Sequence, residues 1–139
     1  MDTEKAINQD SVPVADEAFY PHADLTKAVI GAAFEVHREM GSGFLEKVYQ
    51  TALAYELRRL GLTVEPEAEM PVRYKGGVVG IYYADLVIES NVICEIKAIA
   101  RWAPEHEAQI LHYLKATGIK VGLLLNFGTP RLQIKRMIL

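Results

Sequence analysis

Two short apolar segments separated by three turn residues constrain the fold of this chain more than any other feature. Residues 82–88 and 92–98 are typical of β-strands, and Glu89-Ser90-Asn91 between them favours a tight turn. If the turn uses these three residues, position i lies opposite position 180 − i, so Asp85 faces Glu95. The sequence therefore predicts an antiparallel hairpin with two carboxylates in directly opposed positions.

The two faces of this hairpin differ in chemistry because side chains alternate along a strand. The even-numbered positions are nearly all apolar and are predicted to line one core: Tyr82, Ala84, Leu86, Ile88, Val92, Cys94 and Ile96. The odd-numbered face carries Asp85, Glu95 and Lys97. Directly opposed like charges destabilise a strand pair, so two carboxylates in this position favour a bound cation.

Two sources of positive charge fit this position. Lys97 lies two residues beyond Glu95 on the same face, and a hard divalent ion such as Mg²⁺ favours one or two carboxylates completed by water and phosphate oxygens. The alternative is an ordinary ion-pair cluster on a half-exposed hairpin, with no metal. Helices bracket the hairpin in the sequence, so we expect its charged face to be covered, and buried charges need partners.

The rest of the chain predicts helices on either side of the strands. Apolar residues recur at helical spacing over 25–40 and 45–60, with a Gly-Ser-Gly break at 41–43. Extended segments follow from 62 to 98, then a helix from Pro104 to Thr117 and two strands over 119–127 and 132–138. The predicted order is helix, helix, three strands, helix, two strands, which indicates an α/β domain.

Composition and residue spacing exclude several classes of protein and several kinds of catalytic site. The 139 residues are 50% hydrophobic, which is enough for a core without disulfides. No stretch approaches the roughly 18 apolar residues of a membrane span, and the first residues lack the pattern of a secretion signal, so we expect a cytoplasmic protein. The single Cys94 falls on the apolar face of the hairpin, and no spacing of Cys and His suggests zinc or a nucleophilic triad.

The net charge of −3 is distributed unevenly. Residues 1–20 contain five acidic residues and one basic residue, so they carry −4 and the remaining 119 residues carry +1. We expect residues 1–20 to form an acidic, flexible tail and residues 21–139 to form a single domain. An acidic total speaks against a simple basic nucleic-acid binder, but the domain itself is not acidic, and cations at its carboxylates would make the local field positive.

The acidic and basic residues, taken in this order, resemble the pattern of the PD-(D/E)XK nuclease superfamily. That pattern places an acidic residue on an early helix, an Asp on a strand and a Glu-x-Lys on the next strand. The matching residues here are Glu46, Asp85, Glu95 and Lys97. Ala84 stands where the proline of the superfamily name would be, at a position that varies in the superfamily.

Two further motifs make the resemblance narrower. Gln109 and Tyr113 are four residues apart on the last predicted helix and share a face, which looks like the QxxxY feature of the RecB-like nuclease branch. Residues 43–49, GFLEKVY, are similar to the signature of the GxxExxY proteins within the same superfamily. The resemblance covers about residues 22–139.

The resemblance implies a mixed β-sheet flanked by helices, with a divalent-metal site at the hairpin. Asp85 and Glu95 would bind Mg²⁺ or Mn²⁺ together with the main-chain carbonyl of Ile96, and Glu46 would reach the ion or a water bound to it. Lys97 would position the attacking water or stabilise charge on the phosphate. Gln109 and Tyr113, on the following helix, would support the phosphate or the lysine.

The leading interpretation is therefore a metal-dependent nuclease acting on DNA or RNA, with Glu46, Asp85, Glu95 and Lys97 as its catalytic residues. The first alternative is a catalytically silent nuclease-like fold that binds nucleic acid or a protein. A plain interaction domain, with the carboxylates in a structural ion-pair cluster, is the second. We expect no membrane association. A domain of this size offers little surface for a long substrate, which favours a homodimer or a protein partner.

Overall fold

The computed structural model describes residues 21–139, so the predicted acidic tail over residues 1–20 lies outside the described part of the chain. Within these residues, three helices and five strands follow one another in the predicted order. They are α1 (Ala23–Met40), α2 (Glu46–Arg59), β1 (Val64–Tyr74), β2 (Gly77–Ile88), β3 (Val92–Lys97), α3 (Pro104–Thr117), β4 (Val121–Asn126) and β5 (Gln133–Ile138). The predicted α/β class is confirmed.

The five strands form one mixed sheet in the order β1-β2-β3-β4-β5. Neighbouring strands are antiparallel except β3 and β4, which are parallel. Parallel neighbours need a crossover, and α3 provides it between them. Helices α1 and α2 pack on one face of the sheet and α3 on the other, so the sheet separates two apolar cores.

The turn between α1 and α2 is held by one tyrosine. Gly41 and Gly43 both have positive φ, 67° and 118°, which glycine adopts without strain. The hydroxyl of Tyr49 donates to the carbonyl of Gly41 (2.5 Å) and accepts the N–H of Phe44 (3.2 Å). Its ring stacks on Phe127 with a centroid distance of 4.6 Å. These contacts fix the start of α2, where Glu46 is the first helical residue.

The predicted register of the β2–β3 hairpin is confirmed. Leu86 lies opposite Cys94, Val87 opposite Ile93 and Ile88 opposite Val92, so each pair of numbers sums to 180. Cys94 is fully buried in the core beneath α1 and α2, as predicted, and burial raises the pKa of its thiol.

The prediction that all even-numbered hairpin positions share one core is wrong. Leu86 and Ile88 face α1 and α2, but Ala84 packs in the core beneath α3, and the Tyr82 ring lies 5.2 Å from that of Tyr113. Side-chain alternation along β2 therefore breaks at Asp85. The break lies opposite an irregular residue of the neighbouring strand, Glu67, which has a left-handed φ of 52° and is unpaired in the β1–β2 ladder.

Within residues 21–139, no helix is both long enough and apolar enough to cross a bilayer.

Candidate active site

The carboxylates of Asp85 and Glu95 each accept a hydrogen bond from the opposite strand at the point where the β2–β3 ladder ends. The N–H of Asp85 donates to Glu95 Oε2 (2.9 Å), and the N–H of Ile96 donates to Asp85 Oδ2 (2.7 Å). The N–H groups of Asp85 and Ile96 have no partner in the β2–β3 ladder, and each is satisfied by a carboxylate from the opposite strand. The two side chains are held close together in a defined orientation.

Burial and mutual repulsion make this pair unfavourable when both members are ionised. Glu95 is only 4% exposed, and its burial, followed by the charge of Asp85, raises the pKa of Glu95 to about 8. Burial also raises the pKa of Asp85. Lys97 opposes both shifts with its positive charge but does not cancel them. The pair therefore favours additional positive charge.

Glu46 reaches the same region from the first turn of α2. Its Oε2 accepts the N–H of Ala98 (3.3 Å), the residue after Lys97. The charge of Glu46 raises the pKa of both Asp85 and Glu95, although it is not the largest cause in either case. The structure thus brings Glu46 and Lys97 within electrostatic range of Asp85 and Glu95, the four residues that the family resemblance implies.

Gln109 and Tyr113 lie beside the carboxylates on α3. The amide of Gln109 donates to the Tyr113 hydroxyl (3.0 Å), so the two share a face as predicted. Burial, then the charges of Glu95 and Asp85, raises the pKa of Tyr113 to about 12. Its phenol stays protonated at neutral pH and can donate a hydrogen bond toward an anion.

Two neighbours of Asp85 were not predicted from the sequence. Gln50 donates from its side-chain amide to the main-chain carbonyl of Asp85 (3.1 Å) and to Glu67 Oε2 (3.0 Å), and Lys47 pairs with the same Glu67 oxygen (3.0 Å). The one available signal was the spacing of Gln50, four residues after Glu46 on the same helix face. Nothing in the sequence pattern marks Glu67.

Asn126 is a third residue that sequence reasoning missed. It is fully buried, accepts the N–H groups of Ile99 and Gly128 (both 3.0 Å), and donates to the carbonyl of Ile99 (3.0 Å). These bonds fix the chain directly after Lys97, including the Ala98 N–H that meets Glu46.

The donor set fits a magnesium-like ion bound mainly by two carboxylates. Among residues 21–139, no group of three or more His, Cys, Asp or Glu side chains is arranged to hold a metal, so Glu46 does not join Asp85 and Glu95 in a three-carboxylate cage. Mg²⁺ is usually bound by one or two carboxylates with water completing its octahedron. Each of the two carboxylates has one oxygen bonded to backbone, which leaves its second oxygen for an ion.

A sequence profile described as the PD-(D/E)XK nuclease superfamily matches residues 23–137. The chain belongs to the PD-(D/E)XK nuclease superfamily. The match extends from the start of α1 to the last residues of β5 and includes every candidate site residue. Membership in this superfamily suggests metal-dependent nuclease activity.

Two chains of solved structures match this PD-(D/E)XK protein. One is the crystal structure of SSO0001, with a TM-score of 0.51 and 20% sequence identity. The match covers 66% of this chain and 48% of that one, so this chain spans about half of its length. At this identity the likeness shows the fold. No curated protein matches the sequence.

His106 has a structural contact at the start of α3 in this PD-(D/E)XK protein. Nδ1 of His106 accepts the N–H of Ala103 (3.0 Å) at the start of α3. This bond satisfies one of the free donors at a helix N-terminus.

Proposed function

We propose that the protein is a divalent-metal-dependent nuclease that hydrolyses phosphodiester bonds in DNA or RNA. The observation that carries this proposal is the pairing of half-buried Asp85 with buried Glu95, whose carboxylates are fixed by each other's strands and, among residues 21–139, are not fully neutralised by Lys97. A cation at this position would relieve the repulsion, and its charge would attract a phosphate.

Asp85, Glu95 and the main-chain carbonyl of Ile96 would hold Mg²⁺ or Mn²⁺. Glu46, which is bonded to the Ala98 N–H, would contact a water of the ion rather than the ion itself. When bound, the ion would polarise a phosphoryl oxygen and lower the pKa of a water molecule.

Lys97 acts from the end of β3, where it is half-buried and lies within electrostatic range of both carboxylates. As a compact point charge on a flexible stem, its ammonium can donate to the attacking water or to a non-bridging phosphate oxygen. Because the adjacent segment is fixed through Asn126, the lysine is presented from a rigid position.

The phosphate would dock between the carboxylates and α3. A cavity of about 290 Å³ lies beside α3 and is lined by Tyr82, Glu105, Gln109 and Tyr113 among others, while Asp85 and Glu95 are not part of its lining. The Tyr113 hydroxyl, positioned by Gln109, supplies a donor for a phosphate oxygen. In this proposal the pair is the QxxxY feature of a RecB-like nuclease.

We assign the chain within the superfamily to the GxxExxY proteins. Two residues of its GFLEKVY segment have distinct contacts that support this: Glu46 bonds toward β3, and Tyr49 holds the turn that precedes α2. Glu and Tyr in this motif would then have separate roles, one in the site and one in positioning it.

The second candidate function is a catalytically silent nuclease-like module that binds nucleic acid or a protein. The observation that favours it is the lack of a third carboxylate grouped with Asp85 and Glu95 in the described structure. A silent module would bind Mg²⁺ or Mn²⁺ weakly and cleave nothing.

Cleavage assays on single-stranded DNA, duplex DNA and RNA with Mg²⁺ or Mn²⁺ distinguish the two functions. The nuclease proposal predicts cleavage that EDTA abolishes and that Asp85→Asn removes, while Lys27→Ala, a change at an exposed position on α1, has no effect. Binding of Mn²⁺ without cleavage of any substrate would favour the silent module.

A further inference from the structure

Among residues 21–139, the sheet has three free strand edges, and two of them carry prolines or charged residues that oppose pairing with another chain. The outer edge of β1 contains Pro66 and Pro71 and three glutamates. The outer edge of β5 contains Lys135 and Arg136. Prolines and charges on an edge strand prevent the addition of a further strand.

The third edge belongs to β2 and lies beside the candidate active site. Strand β3 pairs only with Leu86–Ile88 of β2, whereas β1 pairs with β2 along almost its whole length. Residues 77–84 of β2 therefore have β1 on one side and, in the described part of the chain, no strand on the other. Asp85 marks the point where this free edge begins.

The free edge of β2 lacks the protection that the other two carry. Residues 77–84, GVVGIYYA, include no charged residue and no proline. Its apolar and aromatic side chains are largely in solvent, with Val79 65% exposed and Tyr83 53% exposed. An exposed apolar strand with unpaired backbone groups is a site for pairing with another strand.

Gly80 lies in this free edge, next to an irregularity in the β1–β2 pairing. Its backbone φ lies outside the positive range, and a Cβ built on it would meet no atom within 4 Å. Neither backbone conformation nor space within the chain therefore requires a glycine. A glycine inside a strand commonly marks a bulge or the close approach of another backbone, and at Gly80 the adjacent bulge is sufficient reason, while the absent side chain also leaves the edge open.

A bulge limits how much of this edge can pair. Val72 of β1 lies opposite Gly80, but Arg73 lies opposite Val78, so Val79 is an extra residue on β2. Bulges bend a strand and interrupt its pairing. The regular part of the free edge is therefore Gly80–Ala84.

We infer that a second copy of this chain pairs with this edge, strand β2 against strand β2 in antiparallel orientation over Gly80–Ala84. A strand that adds here must itself have an unprotected edge, and among residues 21–139 this is the one that fits. Pairing of the same edge on both copies is two-fold symmetric and closes as a dimer, whereas pairing with β1 or β5 would generate an open chain.

The dimer would join two five-stranded sheets into one, with Asp85 directly after the paired segment on each copy. This inference does not rest on the proposed nuclease activity, because it follows from the strand edge alone. It does place the two candidate sites on one continuous sheet.

Analytical ultracentrifugation of the full chain tests the inference. The wild type should be a dimer at about 100 μM, and the double variant Ile81→Lys, Tyr83→Lys should weaken dimerisation at least about tenfold by opposing like charges across the pair. Tyr55→Lys, at an exposed position on α2, should dimerise like the wild type. A monomeric wild type, an unaffected double variant or dissociation of the Tyr55→Lys control would each overturn the inference.

Cross-linking detects the same dimer without the double variant, and it applies if that variant does not fold. A short thiol-reactive cross-linker should join two copies of Ile81→Cys and should not join copies of Tyr55→Cys, since Cys94 is buried in both. Equal cross-linking of the two variants, or none at Ile81→Cys, would overturn the inference.

Discussion

Asp85 donates its backbone N–H to the side chain of Glu95, while its own carboxylate accepts the N–H of the residue after Glu95. At the point where the strands separate, two backbone N–H groups therefore donate to carboxylate oxygens and not to backbone carbonyls. The arrangement fixes both carboxylates but leaves their charges unbalanced. It follows that stability should depend on pH and on cations in a specific direction.

Stability without divalent ions should fall as the pH rises from about 4.5 to about 8. The pKa of Glu95 is about 8 in the folded protein against an ordinary value of 4.5. Over this window the native state binds more protons than the unfolded state, so the free energy of unfolding decreases with pH. The Asp85 pKa is raised too and acts in the same direction. Thermal unfolding in EDTA should show a drop in Tm of several degrees.

The variant Glu95→Gln is the control for this pH dependence. It keeps the shape and a hydrogen-bond acceptor but removes the titrating group, so its Tm should vary less with pH than that of the wild type. Parallel pH profiles for the two proteins would contradict the assigned environment of Glu95.

Lys97→Ala should reduce cleavage about 10²-fold or more while leaving Mn²⁺ binding intact. The lysine supplies charge to the substrate side of the site, and it is not among the proposed ligands. Single-turnover cleavage and calorimetry on the same preparation separate the two effects. Full cleavage activity in this variant would remove Lys97 from the mechanism.

Tyr49→Phe should destabilise the fold by about 1–2 kcal/mol. The change removes the hydroxyl that bonds Gly41 and Phe44 but keeps the ring that stacks on Phe127. Urea denaturation measures the loss, and Tyr55→Phe, on an exposed side chain, serves as the matched control. Equal stability of the two variants would show that the Tyr49 hydroxyl does not hold the turn.

Gly128→Ala should destabilise the protein by at least about 2 kcal/mol. A Cβ at this position would lie 2.5 Å from the carbonyl carbon of Ala98 and would also clash with the backbone of Ile99. Gly31→Ala on α1, where a Cβ meets nothing within 4 Å, should be neutral or stabilising. Urea denaturation of both variants checks this contrast, and a Gly128→Ala protein as stable as the wild type would contradict it.

Local signals were sufficient to predict the hairpin register and the order of elements. A three-residue turn fixes which residues face each other, so the opposition of Asp85 and Glu95 could be read directly from the numbering. The proximity of Glu46 did not come from local signals. It came from the family resemblance, because a helix 39 residues earlier in the chain has no spacing relation to a strand.

The parts that could not be predicted depend on contacts between distant segments. The change of face at Asp85 lies opposite a left-handed residue, Glu67, on the neighbouring strand, and no pattern within β2 reveals it. The roles of Gln50 and Asn126 likewise depend on which backbone groups the fold leaves unpaired beside them.

Calorimetric titration of Mn²⁺ into the wild type and into Glu95→Gln tests the central claim most directly. The account predicts a single site on the wild type and binding weakened at least about tenfold in the variant, with Glu56→Gln on α2 unchanged. Equal affinity of the wild type and Glu95→Gln, or no binding to the wild type, would contradict the claim that the Asp85–Glu95 pair holds a divalent ion.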